Sequence, residues 1–297
     1  MTDPKATTPR TPPILNDPVR NRGVAFSAEE RAELGLTGRL PSAVLTLDEQ
    51  AERAYIQLRA APAGIARTLY LEQLHDRNET LYFTVLSGHL AELLPFIADP
   101  LAGEAIGQYS PEYRSPGGIY LSIDRPGDIE KSFATLGLGA DDVDVIVCSD
   151  AAEIPGIGDG GVGGIQIAAG KLAVYTAAAG VRPGRVIPVS LDAGTDNEAL
   201  RSDPLYLGNR HARRGGREYD AFGVHVADRV DQAHHPARPA QVQPPASDAS
   251  PRSYAGSAAA PTPAAVQAAR ALRYSASDHS TASSVGFFTN DSRRVPK

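Results

Sequence analysis

The sequence predicts an α/β protein in which a helical N-terminal part leads into a parallel-sheet α/β domain, with disordered ends. Two patterns indicate this class. Apolar residues keep helical spacing through the first hundred positions, and beyond Gly103 apolar, β-branched segments alternate with helical ones. Strands that alternate with helices form a parallel sheet that is covered on both faces. Both ends lack the periodic apolar residues from which a core is built.

The helical part has two clear starting points. Ser27 and Glu30 have capping-box spacing, which predicts a short helix, and Thr46 and Glu49 repeat this device for a longer helix to about Arg59. Apolar residues then recur at helical intervals between positions 65 and 94. This spacing predicts two or three further helices.

The α/β part is predicted from residue 119 onward. Strands are expected at 119–123, 143–147 and 186–191, and helices at 127–136, 165–179 and from 195 onward. A last helix opens at 217–222, but beyond Phe222 no helical or alternating period follows. We therefore predict a disordered arm over residues 1–20, a folded domain over residues 21–222 and a disordered, low-complexity tail over residues 223–297.

Composition excludes several classes of protein. The net charge is −6 and no long basic stripe occurs, which argues against nucleic acid as a partner. A local cluster of Arg210, Arg213, Arg214 and Arg217 is interpreted as a solvated face, with an anion or oligomer contact as the alternative. The single cysteine, Cys148, excludes an internal disulfide and is expected to fill the core.

Targeting signals are not evident in the sequence. The N-terminus has no apolar segment of the kind found in signal peptides, and no apolar run approaches the roughly 18 residues of a membrane-spanning helix. Neither export nor membrane insertion is therefore expected. A cytoplasmic location follows as the expectation.

A glycine-rich run joins the second predicted strand to the following helix, from Ile154 to Lys171. Glycines allow positive φ and close approach of the backbone, and a helix start presents N–H groups to an anion, so the run is a candidate ligand site. Gly156, Gly158 and Gly161 match the dinucleotide pattern G-x-G-x-x-G. The pattern requires the first glycine to follow the strand directly, which it does not do here, so this interpretation is disfavoured. A loop that only turns the chain stays open as the alternative.

Several segments together resemble a known family, the malic enzymes. The resemblance is carried by Asp159 and Gly161 and by six stretches: 21–26 (NRGVAF), 34–41 (LGLTGRLP), 76–79 (DRNE), 170–177 (GKLAVYTA), 191–197 (LDAGTDN) and 203–208 (DPLYLG). It implies the malate-side, N-terminal domain of a malic enzyme, in incomplete form. The resemblance ends at Phe222, inside a predicted element, which indicates a truncated or frameshifted chain without the family's nucleotide-binding domain.

The resemblance also implies a reaction and a set of site residues. Malic enzymes oxidise L-malate with NAD or NADP and decarboxylate it to pyruvate and CO₂, with Mg²⁺ or Mn²⁺ bound. The reaction needs a base for the hydroxyl proton, a cation on the C2 oxygen and an acid for the enolate. By position, Lys171 matches the family's lysine base.

Two other positions depart from the family's pattern. Ala98 occupies the place of the tyrosine acid, and alanine has no proton to give. Glu153 occupies the place of the arginine that grips malate, and a carboxylate there would repel the malate dianion. The family's metal ligands lie beyond the end of the resemblance. We therefore expect neither a metal ion nor a nucleotide to bind this chain tightly.

These departures leave three hypotheses for function. The first is a malic enzyme homologue that is inactive alone. The second, from another class, is a non-catalytic binding or oligomerisation module that associates with intact malic enzyme subunits, and homo-oligomers are left open as well. The third is an enzyme of altered chemistry that still uses Lys171.

Overall fold

The computed structural model describes residues 11–98, 106–234 and 285–289. The chain divides into two compact units, Met1–Ala105 and Ile106–Lys297. The first unit is helical and the second is built around a β-sheet. This confirms the predicted class, a helical N-terminal part that leads into a parallel-sheet α/β domain.

The first unit contains five α-helices in its described part. They are α1 (Ala28–Glu33), α2 (Leu47–Ala60), α3 (Ile65–Arg77), α4 (Glu79–Gly88) and α5 (Leu90–Ala98), preceded by 3₁₀ helices at Pro13–Asn16 and Gly23–Ala25. The two predicted capping boxes are present. The Ser27 side chain accepts from the Glu30 amide while Glu30 accepts from the Ser27 amide, and Thr46 and Glu49 do the same. These caps fix where α1 and α2 begin.

Part of the segment predicted to be a disordered N-terminal arm is structured. Residues 11–20, assigned to it from sequence, include the 3₁₀ helix Pro13–Asn16. The buried Asn21 amide donates to the carbonyls of Leu15 at 3.0 Å and Arg77 at 2.9 Å, and the Glu79 amide donates to Pro18 O at 2.9 Å. Polar backbone contacts hold this segment against α3 and α4, and such contacts leave no apolar period in the sequence. The predicted arm at residues 1–10 lies outside the described residues.

The second unit contains a sheet with strand order β1-β3-β2-β4. The strands are β1 (Ile119–Ser122), β2 (Val145–Ser149), β3 (Val186–Asp192) and β4 (Val285–Thr289). Strands β1, β2 and β3 correspond to the three predicted strands. Strand β3 pairs in parallel with both β1 and β2, and β4 pairs antiparallel with β2. The helices of this unit are α6 (Ile129–Ala134), α7 (Ile165–Ala179), α8 (Glu198–Ser202) and α9 (Gly216–His234), with 3₁₀ helices at Pro126–Asp128, Ala140–Asp142, Gly161–Gly164 and Pro183–Arg185.

Strand β2 is buried on both faces. Since successive strand residues point to opposite sides of the sheet, its side chains pack into two core layers. Val145 and Val147 pack against α7, whereas Ile146 and Cys148 belong to the opposite core layer with residues of α6 and α9. Cys148 fills the core as predicted, and burial raises the pKa of its thiol to about 12.

Helix α9 corrects the predicted boundary at Phe222. It continues to His234, and Phe222, Val226 and Val230 are all buried in the core layer beside α6. Their spacing of four residues is helical, but the Ala, His, Asp and Arg residues between them lower the mean hydropathy and hide the period. Strand β4 also falls in the predicted tail. The rest of that tail, 235–284 and 290–297, lies outside the described residues.

Among the described residues no single helix is long and apolar enough to cross a membrane. Two segments, Glu79–Gly88 and Leu90–Ile97, reach the required length and composition only when taken together, and they are bent by 119° at their junction.

Candidate active site around the glycine-rich loop

The glycine-rich loop, residues 150–160, leaves the carboxyl end of β2 and enters the 3₁₀ helix Gly161–Gly164 that precedes α7. Carboxyl ends of parallel strands are the usual place for ligands in α/β proteins. The loop doubles back on itself at Ile154 and Gly158, where each amide donates to the other residue's carbonyl at 2.9 and 2.8 Å. Gly156 and Gly158 have φ of 76° and 86°, which fits glycine at a tight turn.

Three other glycines are required by close packing, and one of them, Gly161, also has a positive φ of 52°. A Cβ atom at Gly161 would lie 2.2 Å from the Tyr206 hydroxyl oxygen, and one at Gly164 would lie 2.0 Å from the Cβ of Ala151. At Gly163 it would lie 2.5 Å from the carbonyl oxygen of residue 106. The groups that approach these glycines belong to the protein itself, so these three positions serve internal packing.

The helix start at this loop is closed by side chains. Asp159 Oδ1 accepts from the Gly161 amide at 2.9 Å, and the Tyr206 hydroxyl accepts from the Val162 amide at 3.1 Å. Tyr206 is buried, and this burial raises the pKa of its phenol to about 12. The expectation that this helix start offers free N–H groups to an anion is therefore wrong for these two amides. These two amides are therefore not available to a dinucleotide phosphate, and the disfavoured dinucleotide interpretation gains no support.

A buried arginine ties the two ends of the loop together. Arg213 Nη2 donates to the carbonyl oxygen of Asp150 and to Asp159 Oδ1, both at 3.0 Å, and its Nη1 lies 3.7 Å from Asp150 Oδ2. The Tyr219 hydroxyl donates to Asp150 Oδ2 at 2.6 Å. The exposed fractions of the three charged side chains are 14% for Arg213, 5% for Asp150 and 13% for Asp159. We call these three residues the arginine clamp.

The segment after β3 supports the clamp. Asp159 Oδ2 accepts from the Asp196 amide at 2.8 Å, and the Asn197 side chain donates to the Asp159 carbonyl at 3.2 Å. Asp196 in turn accepts from the Arg213 amide at 3.0 Å. Nearby, burial raises the pKa of the Asp192 carboxyl at the end of β3. A network of hydrogen bonds between side chains and backbone thus connects the segments at the carboxyl edge of the sheet.

The arginine cluster is a solvated face only in part: Arg210 and Arg217 are exposed, whereas Arg213 and Arg214 are partly buried. Arg213 belongs to the clamp, and Arg214 pairs with Asp124 and Glu218 at 2.6 and 2.7 Å. Arg210 donates to four backbone carbonyls between residues 201 and 206. The contacts of Arg213 with Asp159 and of Arg214 with Asp124 join residues far apart in the chain, and residue spacing carries no signal for them.

Lys171 lies on α7, one turn after Ile167. Residues four apart share a helix face, and a helical side chain leans toward the preceding turn, so the Lys171 stem runs toward Ile167. Ile167 packs against Ile106, Ala151 and Ile154, the last two of which belong to the glycine-rich loop. Lys171 is half-buried, and this burial lowers the pKa of its amine. A lowered pKa suits a lysine that must accept a proton.

The other two predicted site residues, Glu153 and Ala98, lie in different parts of the chain. Glu153 is exposed on the glycine-rich loop, in the same unit as Lys171. Ala98 is the last residue of α5 in the first unit, and its side chain lies outside the described part. Ala98 and Lys171 thus belong to different units, and the roles assigned to these positions stay predictions.

No group of three His, Cys, Asp or Glu side chains that could hold a metal ion occurs within residues 11–98, 106–234 and 285–289. The buried carboxylates at the carboxyl edge of the sheet, Asp150 and Asp159, are both engaged by Arg213. The described residues therefore do not fit a Mg²⁺ or Mn²⁺ site, and no step of the chemistry below passes through a metal.

Comparison with known proteins identifies a family that this chain matches. The family described as malic enzyme, N-terminal domain, matches residues 75–239. Because the match runs past Phe222 and beyond α9, the similarity does not end where the sequence suggested.

Three similar proteins illustrate the relationship. A Mycobacterium tuberculosis protein that carries the provisional name malate oxidoreductase (NAD) is 62% identical over 217 residues, which are 73% of this chain and 40% of that protein. NAD-dependent malic enzyme 3 of Bacillus subtilis is 54% identical over 73% of this chain and 38% of its own length. The malolactic enzyme of Lactiplantibacillus plantarum is 48% identical over 69% of this chain and 38% of its own length. The chain thus spans about two fifths of the length of these relatives.

Proposed function

Because the chain belongs to the malic enzyme family, we propose that its second unit is the substrate side of a malate-oxidising site in which Lys171 is the base. The observation that carries this proposal is the position of Lys171. It lies on α7 beside the glycine-rich loop, where burial lowers the pKa of its amine. The relatives named for NAD-dependent malate chemistry support NAD as the partner of the whole site.

The base must be neutral before it can take the proton of the malate C2 hydroxyl. An amine in water is almost fully protonated at neutral pH, whereas a desolvated amine has a larger neutral fraction because burial disfavours the charged form. The apolar cover over Ile167, formed by Ile106, Ala151 and Ile154, supplies that desolvation one turn away from Lys171. The loop thus prepares the lysine for proton transfer.

We further propose that this chain turns malate over slowly or not at all by itself. Ala98 offers no proton to an enolate, and an exposed carboxylate at Glu153 would repel the malate dianion. Both effects act on the substrate side, whatever region provides the nucleotide site. Malolactic and malic enzymes both occur among the relatives, so the product formed after oxidation is left open.

The proposal is tested by incubating the purified chain with L-malate, NAD and Mg²⁺ or Mn²⁺ and following NADH absorbance. The expected result is no NADH formation above that of the Lys171→Ala variant. Turnover above this level would overturn the proposed inactivity while supporting Lys171 as the base. Equal turnover in the chain and the variant, clearly above an enzyme-free blank, would overturn the assignment of Lys171.

A further inference from the structure

We propose that Arg213 is a positioning residue for Lys171: it holds the loop between Asp150 and Asp159 closed over the face of α7 that carries Ile167 and Lys171. This inference rests on the proposed function only in that Lys171 is taken as the base. The contact geometry that supports it does not depend on turnover.

Arg213 joins the two ends of one loop. Its Nη2 contacts the Asp150 carbonyl and the Asp159 carboxylate, each at 3.0 Å, so the residues between them are bridged by a single guanidinium. The Arg213 amide is itself held by Asp196 Oδ1 at 3.0 Å. A planar guanidinium fixed at both its backbone and its tip can set the distance between its two partners.

The charges around Arg213 also favour the closed loop. Asp150 and Asp159 are both nearly buried, and Arg213 lies between them. Without the guanidinium, two carboxylates would share a poorly hydrated site, a situation that strongly disfavours the closed state. Opening the loop would hydrate both carboxylates and relieve this repulsion. Removal of Arg213 should therefore open the loop rather than leave it in place.

The loop is connected to the face of α7 that carries Lys171. Ala151 and Ile154 lie within the bridged span and pack against Ile167, one helical turn before Lys171. If the loop opens, water reaches this face of α7 and the desolvation of the Lys171 amine is lost. The titratable groups on the elements packed here are Asp150, Glu153 and Asp159 on the loop, Tyr109 after Ile106, and Tyr175 on α7 itself.

The experiment measures Lys171 directly in the purified full-length chain. Acetic anhydride is used as the amine-reactive probe, and labelling of Lys171 is read against pH by peptide mass spectrometry. In Arg213→Met we expect the labelling midpoint of Lys171 to rise toward that of an ordinary lysine. We also expect the amide hydrogens of residues 150–159 to exchange at least about tenfold faster, while the amides of β2 keep their rates.

Two matched controls separate positioning from general damage. Arg214→Met makes the same charge change one residue away, at a more exposed side chain that pairs with Asp124 and Glu218, and should leave the Lys171 midpoint unchanged. Arg213→Lys should restore the midpoint only in part, since an ammonium keeps the charge but lacks the planar guanidinium whose Nη2 reaches both the Asp150 carbonyl and Asp159.

An unchanged Lys171 midpoint in a folded Arg213→Met chain would overturn the inference. If Arg213→Met does not fold, Asp159→Asn breaks the same ion pair more gently, and an unchanged midpoint in that variant would overturn it equally. Because no malate or NAD is present, these results are separate from the turnover test. The turnover test can show that Lys171 is not the base while Arg213 still controls its exposure. Conversely, Lys171 can be the base while Arg213 does not control its exposure.

Discussion

Replacement of Val226 by alanine removes two methyl groups from the core layer that joins α9 to the sheet. Val226 is 3% exposed and packs with Phe222 and Val230 in the same apolar cluster. Burial of two methyl groups is worth about 1.6 kcal/mol, and the cavity left behind raises the loss to roughly 2–3 kcal/mol. Alanine favours the helix by about 0.5 kcal/mol over valine, so the net destabilisation should be about 1.5–2.5 kcal/mol.

Val224 provides the matched control because it lies on the same helix and is 59% exposed. Val224→Ala changes the helix propensity by the same amount and buries nothing, so it should alter the free energy of unfolding by less than about 0.5 kcal/mol. Urea unfolding of the full-length chain, followed by circular dichroism, measures both. The prediction is a lower midpoint for Val226→Ala at an unchanged slope. Equal midpoints for the two variants would refute the packing of α9 and restore Phe222 as the end of the folded part.

Three further substitutions test the loop and the lysine. Tyr206→Phe leaves the Val162 amide without its 3.1 Å acceptor and should cost about 1–2 kcal/mol of unfolding free energy, measured by urea titration. Gly164→Ala would place a Cβ atom 2.0 Å from that of Ala151, so thermal unfolding should show a loss of about 2 kcal/mol or more. Lys171→Met should stabilise the chain at neutral pH, because the folded-state pKa of Lys171 lies below the ordinary value of 10.5 and the charged amine is disfavoured by burial. This gain is complete below the folded pKa and disappears as pH rises through 10.5, which unfolding at several pH values will follow.

Each of these substitutions has a control in the same chain. Tyr70→Phe loses an exposed contact to Gln57, and Gly127→Ala adds a methyl group in open space, so both should be nearly neutral. Lys131 is 83% exposed, and Lys131→Met should give no pH-dependent gain. Losses in the controls as large as those in the paired variants would contradict the role of close packing and burial at these sites.

The sequence could predict most of the fold because the relevant signals are local. Capping boxes at Ser27 and Thr46 mark helix starts, and the apolar strand around Ile146 shows the unbroken apolar character of a strand buried on both faces. The sequence could not show how far α9 extends. Its buried positions are separated by charged and small residues, so the period of four is carried by only Phe222, Val226 and Val230.

The candidate site was predictable only in part. The sequence alone points to Lys171 and the glycine-rich loop, and the role assigned to Lys171 stays a prediction. Gly156 and Gly158 fit the turn that was left open as the alternative, whereas Gly161, Gly163 and Gly164 lie close to Tyr206, Ile106 and Ala151, contacts that the sequence could not show. The clamp could not be found, because Arg213 contacts Asp159 across 54 positions in the chain and no spacing rule covers such a distance.

The central claim is that this chain has the malate-side base but lacks the acid and the carboxylate-binding residue. The most direct test is a chimera in which the C-terminal region of the Bacillus subtilis relative follows residue 239, assayed for malate-dependent NADH formation. The graft alone should be nearly inactive. Addition of Ala98→Tyr and Glu153→Arg should raise the rate, with the tyrosine alone contributing about 10²- to 10⁴-fold, and Lys171→Ala should abolish the gain. Full activity of the graft without these two substitutions, or activity that survives Lys171→Ala, would contradict the account.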